Sequence, residues 1–234
     1  MNFRLATGLA ALTVTIAACS DGSGSFESAS LDSDDQRASY GIGLNVGNQL
    51  SDSRDRLDRS AFMRGVEDAL QGSEPAIPRE EIQPALEAFA EEIQAAAAEA
   101  REQLAMANEE QGRAFLEENA ERDEVTTTES GLQYEVLEAG DGPVPAASDQ
   151  VQLHYTGSLI DGTEFDSSRG GEPAVFGVGA VIPGFAEGLQ LMPVGSQYRV
   201  WIPSDLGYGP QGSGPLIGPN AVLVFEIELL DIVE

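Results

Sequence analysis

Residues 223–230 read Leu223-Val224-Phe225-Glu226-Ile227-Glu228-Leu229-Leu230. Leu223, Phe225, Ile227 and Leu229 fall on one side of an extended chain, and Glu226 and Glu228 on the other. That is the period-two pattern of a strand with one face in a core and one in water. Around it, 221–233, 197–202, 150–155 and 131–137 read as short strands separated by Gly/Pro turns, so a half-buried antiparallel sheet is expected. Asp161-Gly162 reads as a hairpin turn. One apolar segment, 184–191, lies between strands and is expected to be a helix covering the sheet's apolar face. Residues 204–220 hold five Gly and three Pro. They cannot be regular structure, and a long loop inside a compact domain is usually functional.

Before residue 123 the pattern is helical. Asp32 to Leu50 carries Tyr40, Leu44 and Val46 at near-helical spacing, interrupted by Gly41, Gly43 and Gly47. Asp58 is placed to cap a second helix with Phe62, Val66, Ala69 and Leu70 on one face and Gly72 as its stop. Residues 79–122 read as one long helix with Pro84 in its opening turns. The Ala95–Ala98 run and the polar positions around it predict a strut exposed for much of its length, and Glu91-Glu92 and Glu117-Glu118 read as solvated faces. Helices followed by a separate set of strands make the fold class α+β. The three-helix part is too small and too Gly-interrupted to bury its apolar faces alone, so a second copy is expected to cover them. The alternative is a monomeric helical cap folded onto the C-terminal domain.

Composition excludes several chemistries. The chain has 234 residues with 12 Lys plus Arg against 40 Asp plus Glu, one His and one Cys, for a net charge of −28. All the cations are Arg, so no P-loop, Schiff-base or kinase Lys exists. His154 and Cys19 alone cannot build a Cys/His zinc site, and no metal or other cofactor is expected. An acidic chain without a basic stripe is a poor partner for nucleic acid. Gly207 to Gly212 satisfies G-x-G-x-x-G, but Pro215 and Pro219 follow in place of a helix, which argues against a dinucleotide site. Asp34-Asp35 is too sparse for a calcium loop.

Residues 1–18 have one early cation, Arg4, a short apolar run and the ending Ile16-Ala17-Ala18-Cys19. This is the layout of a secretory signal, too short for a spanning helix. It resembles a bacterial lipobox, which implies lipidation of Cys19 and a membrane anchor. By resemblance to enterobacterial lipoprotein sorting signals, in which Asp after the Cys retains the protein in the inner membrane, Ser20 implies the outer membrane, facing the periplasm or the cell surface. Residues 19–30, Gly/Ser-rich and acidic, read as a tether.

The C-terminal part, about 123–234, closely resembles the FKBP-type peptidyl-prolyl isomerases. The motifs are Val151-Gln152-Leu153-His154-Tyr155-Thr156-Gly157, Asp161-Gly162-Thr163-Glu164-Phe165-Asp166-Ser167-Ser168 and Val181-Ile182-Pro183-Gly184-Phe185-Ala186-Glu187-Gly188-Leu189, with Tyr208 and the 223–230 strand. Residues 38–43 and 62–70 resemble the dimerisation domain of bacterial FkpA- and Mip-like isomerases, assigning 31–122 to it. The resemblance implies an antiparallel half-barrel of five or six strands wrapped around one short helix. It implies isomerisation of X-Pro bonds in folding envelope proteins, with a dimeric holdase as the alternative. By the same resemblance Phe185 is the pocket floor and Tyr155, Phe165 and Phe225 its walls, with Val181 and Ile182 beside them. The Ile217 backbone N–H and the Tyr208 hydroxyl bind substrate carbonyls, and Asp166 holds the reacting carbonyl and orients Tyr155.

Three positions depart from the family pattern. Phe185 stands where Trp is usual, Ala174 where an aromatic wall is usual, and Ser213 where His is frequent. A more open pocket with weaker macrolide binding is implied. Trp201 is placed on the outward face of its strand and His154 is read as structural.

The acidity is not local. Residues 19–122 hold 23 acids and 9 Arg, and 123–234 hold 17 acids and 2 Arg. A surface so charged and free of Lys resembles those adapted to high salt, where self-repulsion is screened. Melting temperature is therefore expected to rise strongly from low to molar NaCl, and a flat response would refute this.

Overall fold

The computed structural model describes residues 29–233. The signal and lipidation readings of residues 1–18 and Cys19, and most of the tether, lie outside the described residues. The chain divides into two compact units, with the boundary between Ala76 and Ile77.

The first unit holds α1 (Asp34–Gln49) and α2 (Arg59–Gln71). The first helix starts two residues later than the pattern predicts because Ser33 caps it. The Ser33 hydroxyl accepts from the Gln36 N–H at 3.2 Å, while the Gln36 side chain accepts from the Ser33 N–H at 3.0 Å. This reciprocal pair satisfies two otherwise orphaned donors. Asp58 caps α2 through the N–H groups of Ser60 and Ala61, and Gly72 ends it in the left-handed conformation. Neither helix buries a residue, and Ile42 is 65% and Leu70 80% exposed.

The second unit begins with α3 (Arg79–Asn119), which keeps Pro84 in its opening turns. It continues with β1 (Val125–Thr127), β2 (Gln133–Glu138), β3 (Gln150–Leu159), β4 (Glu164–Ser167), β5 (Ala174–Gly177), α4 (Pro183–Leu189), β6 (Gln197–Ile202) and β7 (Leu223–Val233). Among the described residues these seven strands form one antiparallel sheet in the order β1-β2-β6-β7-β3-β4, with β5 also on β3. The sheet has seven strands where five or six were expected, because β5 and β4 are separate short strands that share one edge of β3, taking Gln150–Leu153 and Thr156–Ser158 respectively. Three of the strands, β1, β4 and β5, have three or four residues. Runs that short carry too little alternation to be read from sequence, which is why they are absent from the expectation.

Helix α4 lies on the concave face of the sheet and buries Gly184, Phe185, Gly188 and Leu189. Close approach requires the first of these glycines, since a Cβ on Gly184 would sit 2.4 Å from Cγ2 of Ile202 on β6. Leu153, Val200, Ile202, Leu223, Ile227 and Leu229 complete the core beneath it, all at 0% exposure. The alternation in 223–230 thus does what it predicts: its apolar side meets α4.

The strut reading of α3 needs correction for its second half. Gly112 and Asn119 are buried. A Cβ on Gly112 would lie 2.7 Å from Cγ2 of Val222. The Asn119 amide donates to the Gln133 side chain at 2.8 Å, and Gln133 donates to the Leu116 carbonyl at 2.8 Å. Arg122 follows with a 2.8 Å ion pair to Glu135 and lies 5.5 Å above the Trp201 ring. Spacing along α3 shows a polar surface there because the contact with the sheet is made through amides and a glycine, not through an apolar stripe.

Candidate active site

One cavity of about 590 Å³ opens between α4, the inner face of the sheet and the loop after β6. All nine pocket residues carried over by resemblance line it: Tyr155, Phe165, Asp166, Val181, Ile182, Phe185, Tyr208, Ile217 and Phe225. They arrive from different elements. Tyr155 projects from β3, Phe165 and Asp166 from β4, Phe225 from β7, Phe185 from the first turn of α4, and Tyr208 and Ile217 from the Gly/Pro-rich loop.

The aromatics meet edge to face, the arrangement ring quadrupoles favour. Phe185 lies 5.0 Å from Phe225 at 82° and 6.2 Å from Tyr155 at 84°. Phe165 packs 5.6 Å from Phe225 at 80°. Register explains the convergence, because Gly157 of β3 pairs with Phe225 on one side and Asp166 on the other. Only glycine leaves room there: a Cβ would approach Phe165 Cε2 to 2.5 Å and Phe225 Cε1 to 2.8 Å. The final glycine of the Tyr155-Thr156-Gly157 motif is therefore part of the pocket wall.

The polar part of the cavity is small and one-sided. The Tyr155 hydroxyl donates to a carboxylate oxygen of Asp166 at 2.5 Å. Burial of the phenol pushes its pKa well above the ordinary tyrosine value, and the adjacent Asp166 charge adds to that shift. Tyr155 is thus a neutral donor with its proton committed to Asp166, and not an acid for chemistry near neutral pH. Asp166 itself is exposed at the mouth. Tyr208, 40% exposed, makes no hydrogen bond through its hydroxyl among the described residues. Among those residues no group of three His, Cys, Asp or Glu is placed to hold a metal ion.

Two readings change at this level. The Ile217 N–H, expected to bind a substrate carbonyl, donates to the Ser213 carbonyl at 3.2 Å, closing the loop tip on itself. Ile182, at the start of α4 in the lining, has a backbone N–H with no acceptor among the described residues. Sequence reasoning also missed Phe176, which lies in β5 two residues beyond Ala174 and on the same strand face. Its ring is 5.6 Å from Tyr155 and 6.3 Å from Phe185. The aromatic absent at Ala174 is supplied one strand repeat later, so the pocket is less open on that side than the Ala alone implies. The signal was present as Ala174-Val175-Phe176, but a four-residue strand hides its alternation.

His154 faces away from the pocket lining, with Nδ1 3.2 Å from the Ser168 hydroxyl. Trp201, only 3% exposed, lies on the opposite face of its strand from Val200 and Ile202 and lines a second cavity beside Phe115 and Arg122. The outward-face reading holds, although the end of α3 covers the ring. A proline peptide filling the aromatic pocket is expected to leave Trp201 emission unchanged, and strong quenching on titration would overturn that placement.

Comparison with known proteins agrees with the geometry. Residues 35–136 match the model of the domain amino terminal to FKBP-type peptidyl-prolyl isomerase, and residues 142–230 that of FKBP-type peptidyl-prolyl cis-trans isomerase. The chain is 49% identical over 203 residues to the FKBP-type 22 kDa peptidyl-prolyl cis-trans isomerase of Escherichia coli strain K12, covering 86% of this chain and 97% of that protein. It is 38% identical to the outer membrane protein MIP of Legionella longbeachae, covering 88% and 89%. The crystal structure of FkpA from Escherichia coli aligns with a TM-score of 0.66 at 38% identity, over 87% of this chain and 98% of that one. On both the pocket and these matches, the chain belongs to the FKBP-type peptidyl-prolyl cis-trans isomerases.

Proposed function

We propose that this isomerase works by desolvating and twisting X-Pro bonds of exported proteins in the aromatic cavity, with the residues in the following roles. A planar X-Pro amide resists rotation by about 18–20 kcal/mol because twisting destroys its resonance. The planar form is also the more dipolar. Moving it from water to a floor of Phe185 and walls of Tyr155, Phe165, Phe176 and Phe225 therefore penalises the ground state more than the twisted state. Asp166 holds the reacting carbonyl electrostatically and keeps Tyr155 oriented. The free Ile182 N–H and the Tyr208 hydroxyl take substrate carbonyls. No covalent intermediate or cofactor enters this scheme.

The observation that carries the reading is the Tyr155–Asp166 hydrogen bond of 2.5 Å set inside a cavity lined chiefly by rings and aliphatic groups. A role as a holdase that uses the pocket only for docking is not favoured, since the matched relatives are named isomerases and docking alone has no use for that oriented carboxylate. The test is a protease-coupled assay of a proline tetrapeptide on the form lacking residues 1–19. Catalysed cis–trans exchange is expected, and an uncatalysed rate would sink the reading.

Location and assembly are part of the same proposal. The Ile16-Ala17-Ala18-Cys19 ending supports export and lipid anchoring at Cys19, in the outer membrane. No helix among the described residues is long and apolar enough to cross a membrane. The exposed Tyr40, Ile42, Leu44, Val46 and Leu70 on helices that bury nothing support a homodimer through residues 31–122.

A further inference from the structure

The loop that carries Tyr208 and Ile217 has little core to hold it. From Gly209 to Asn220 it is largely Gly and Pro, Leu216 at its tip is 49% exposed, and only Ile217 and Pro219 are buried. Its internal ties are few: the Asn220 N–H donates to the Gly209 carbonyl at 2.9 Å across its base, and Ser213 and Ile217 exchange backbone bonds at its tip. Ordering each residue of such a loop costs conformational entropy that few contacts offset. Yet Ser213, Gly214, Pro215, Leu216 and Ile217 form one rim of the cavity.

The missing anchor comes from more than a hundred residues away. Arg101 of α3 donates from Nη2 to the carbonyls of Gln211 at 2.6 Å and Pro210 at 3.3 Å. Two turns on, Asn108 donates to the Pro219 carbonyl at 2.7 Å. Between them the Ala105 carbonyl faces the Asn220 amide at 3.5 Å. In a chain with 40 Asp plus Glu, Arg101 takes no carboxylate partner among the described residues. Its guanidinium instead satisfies two successive loop carbonyls through the two N–H bonds of one terminal nitrogen. One helix thus holds the loop at both ends, just outside the residues that rim the pocket.

We propose that Arg101 and Asn108 are positioning residues that pin the 209–220 loop to α3 and so set the aperture of the isomerase pocket. They touch neither the cavity nor Asp166, and act only through the loop. The inference rests on the isomerase reading of that cavity. It adds that the long helix is a structural part of the substrate site and not merely a spacer before it.

The test compares full-length protein lacking only residues 1–19 with its Arg101→Ala and Asn108→Ala variants, alone and combined. Amide exchange at Ser213, Ile217 and Asn220 is expected to speed up by roughly tenfold in the double variant, with β3 and β7 amides unchanged, as local opening of a low-stability segment predicts. KM for a proline tetrapeptide is expected to rise roughly three- to tenfold with kcat within about twofold, because the groups around the reacting bond are untouched. Arg101→Lys, which keeps a donor, should recover most of the loss, and Arg113→Ala on the same helix should change nothing. Unchanged loop exchange in an active enzyme overturns the proposal, as does a fall in kcat at constant KM. Absence of activity in the unsubstituted protein would instead overturn the isomerase reading, so the two failures are distinguishable.

Discussion

Asp166→Ala is expected to lower kcat/KM for a proline tetrapeptide by roughly 10- to 100-fold, the range of about 1.5–3 kcal/mol associated with a hydrogen bond to a charged group. The carboxylate accepts the Tyr155 hydroxyl at 2.5 Å and is the only charged group in the cavity lining among the described residues. Removing it takes away both the electrostatic hold on the substrate carbonyl and the partner that fixes the phenol. Because Asp166 stands exposed at the mouth, its loss should change stability by no more than about 0.5 kcal/mol. Tyr155→Phe separates the two contributions, since it removes the oriented hydroxyl but leaves the charge. A smaller defect in Tyr155→Phe than in Asp166→Ala is expected. Comparable activity of Asp166→Ala and the parent in a protease-coupled assay would remove the carboxylate from the mechanism.

Phe225→Ala is expected to destabilise the C-terminal unit by about 3–5 kcal/mol and to abolish measurable isomerisation. The ring is 6% exposed and is held edge to face by Phe185 at 5.0 Å and Phe165 at 5.6 Å. It also stands on β7, the strand paired with β6 on one side and β3 on the other, at the position opposite Val200 and Gly157. Pocket wall and hydrophobic core coincide in this side chain. Phe165, by contrast, is half-buried on the short strand β4, so Phe165→Ala should impair activity with a smaller stability cost. Urea unfolding followed by far-UV circular dichroism measures the difference. A Phe225→Ala loss below about 1 kcal/mol would mean that the wall is not part of the core.

The parts of the fold legible beforehand are those where local pattern and final burial agree. In 223–230 the alternation of apolar and acidic positions reports the sheet face directly, and the Asp58 cap and the Gly72 stop bound α2 without help from any distant residue. Most of the pocket was legible for a different reason: its residues sit in motifs that resemble those of a known family. The misses share a cause. Phe176 is hidden in a strand of four residues, and the use of the Ile217 N–H depends on a turn closed by Ser213. The docking of α3 runs through Gly112, Asn119 and Asn108, residue types that look like surface until their partners are known.

By itself the sequence determined the α+β class, the order of helical and sheet regions, the chemistry that is impossible without Lys or a second His, and the apolar character of the site. Those follow from periodicity and composition, which are local or summed properties. Only the tertiary structure decided that the Ile217 N–H is taken up within its own loop while that of Ile182 is not, where the missing aromatic comes from, and that α3 grips the loop over the site. Each of these is a pairing between residues far apart in the chain, and the geometry of such a pair exists only once packing has brought its members together.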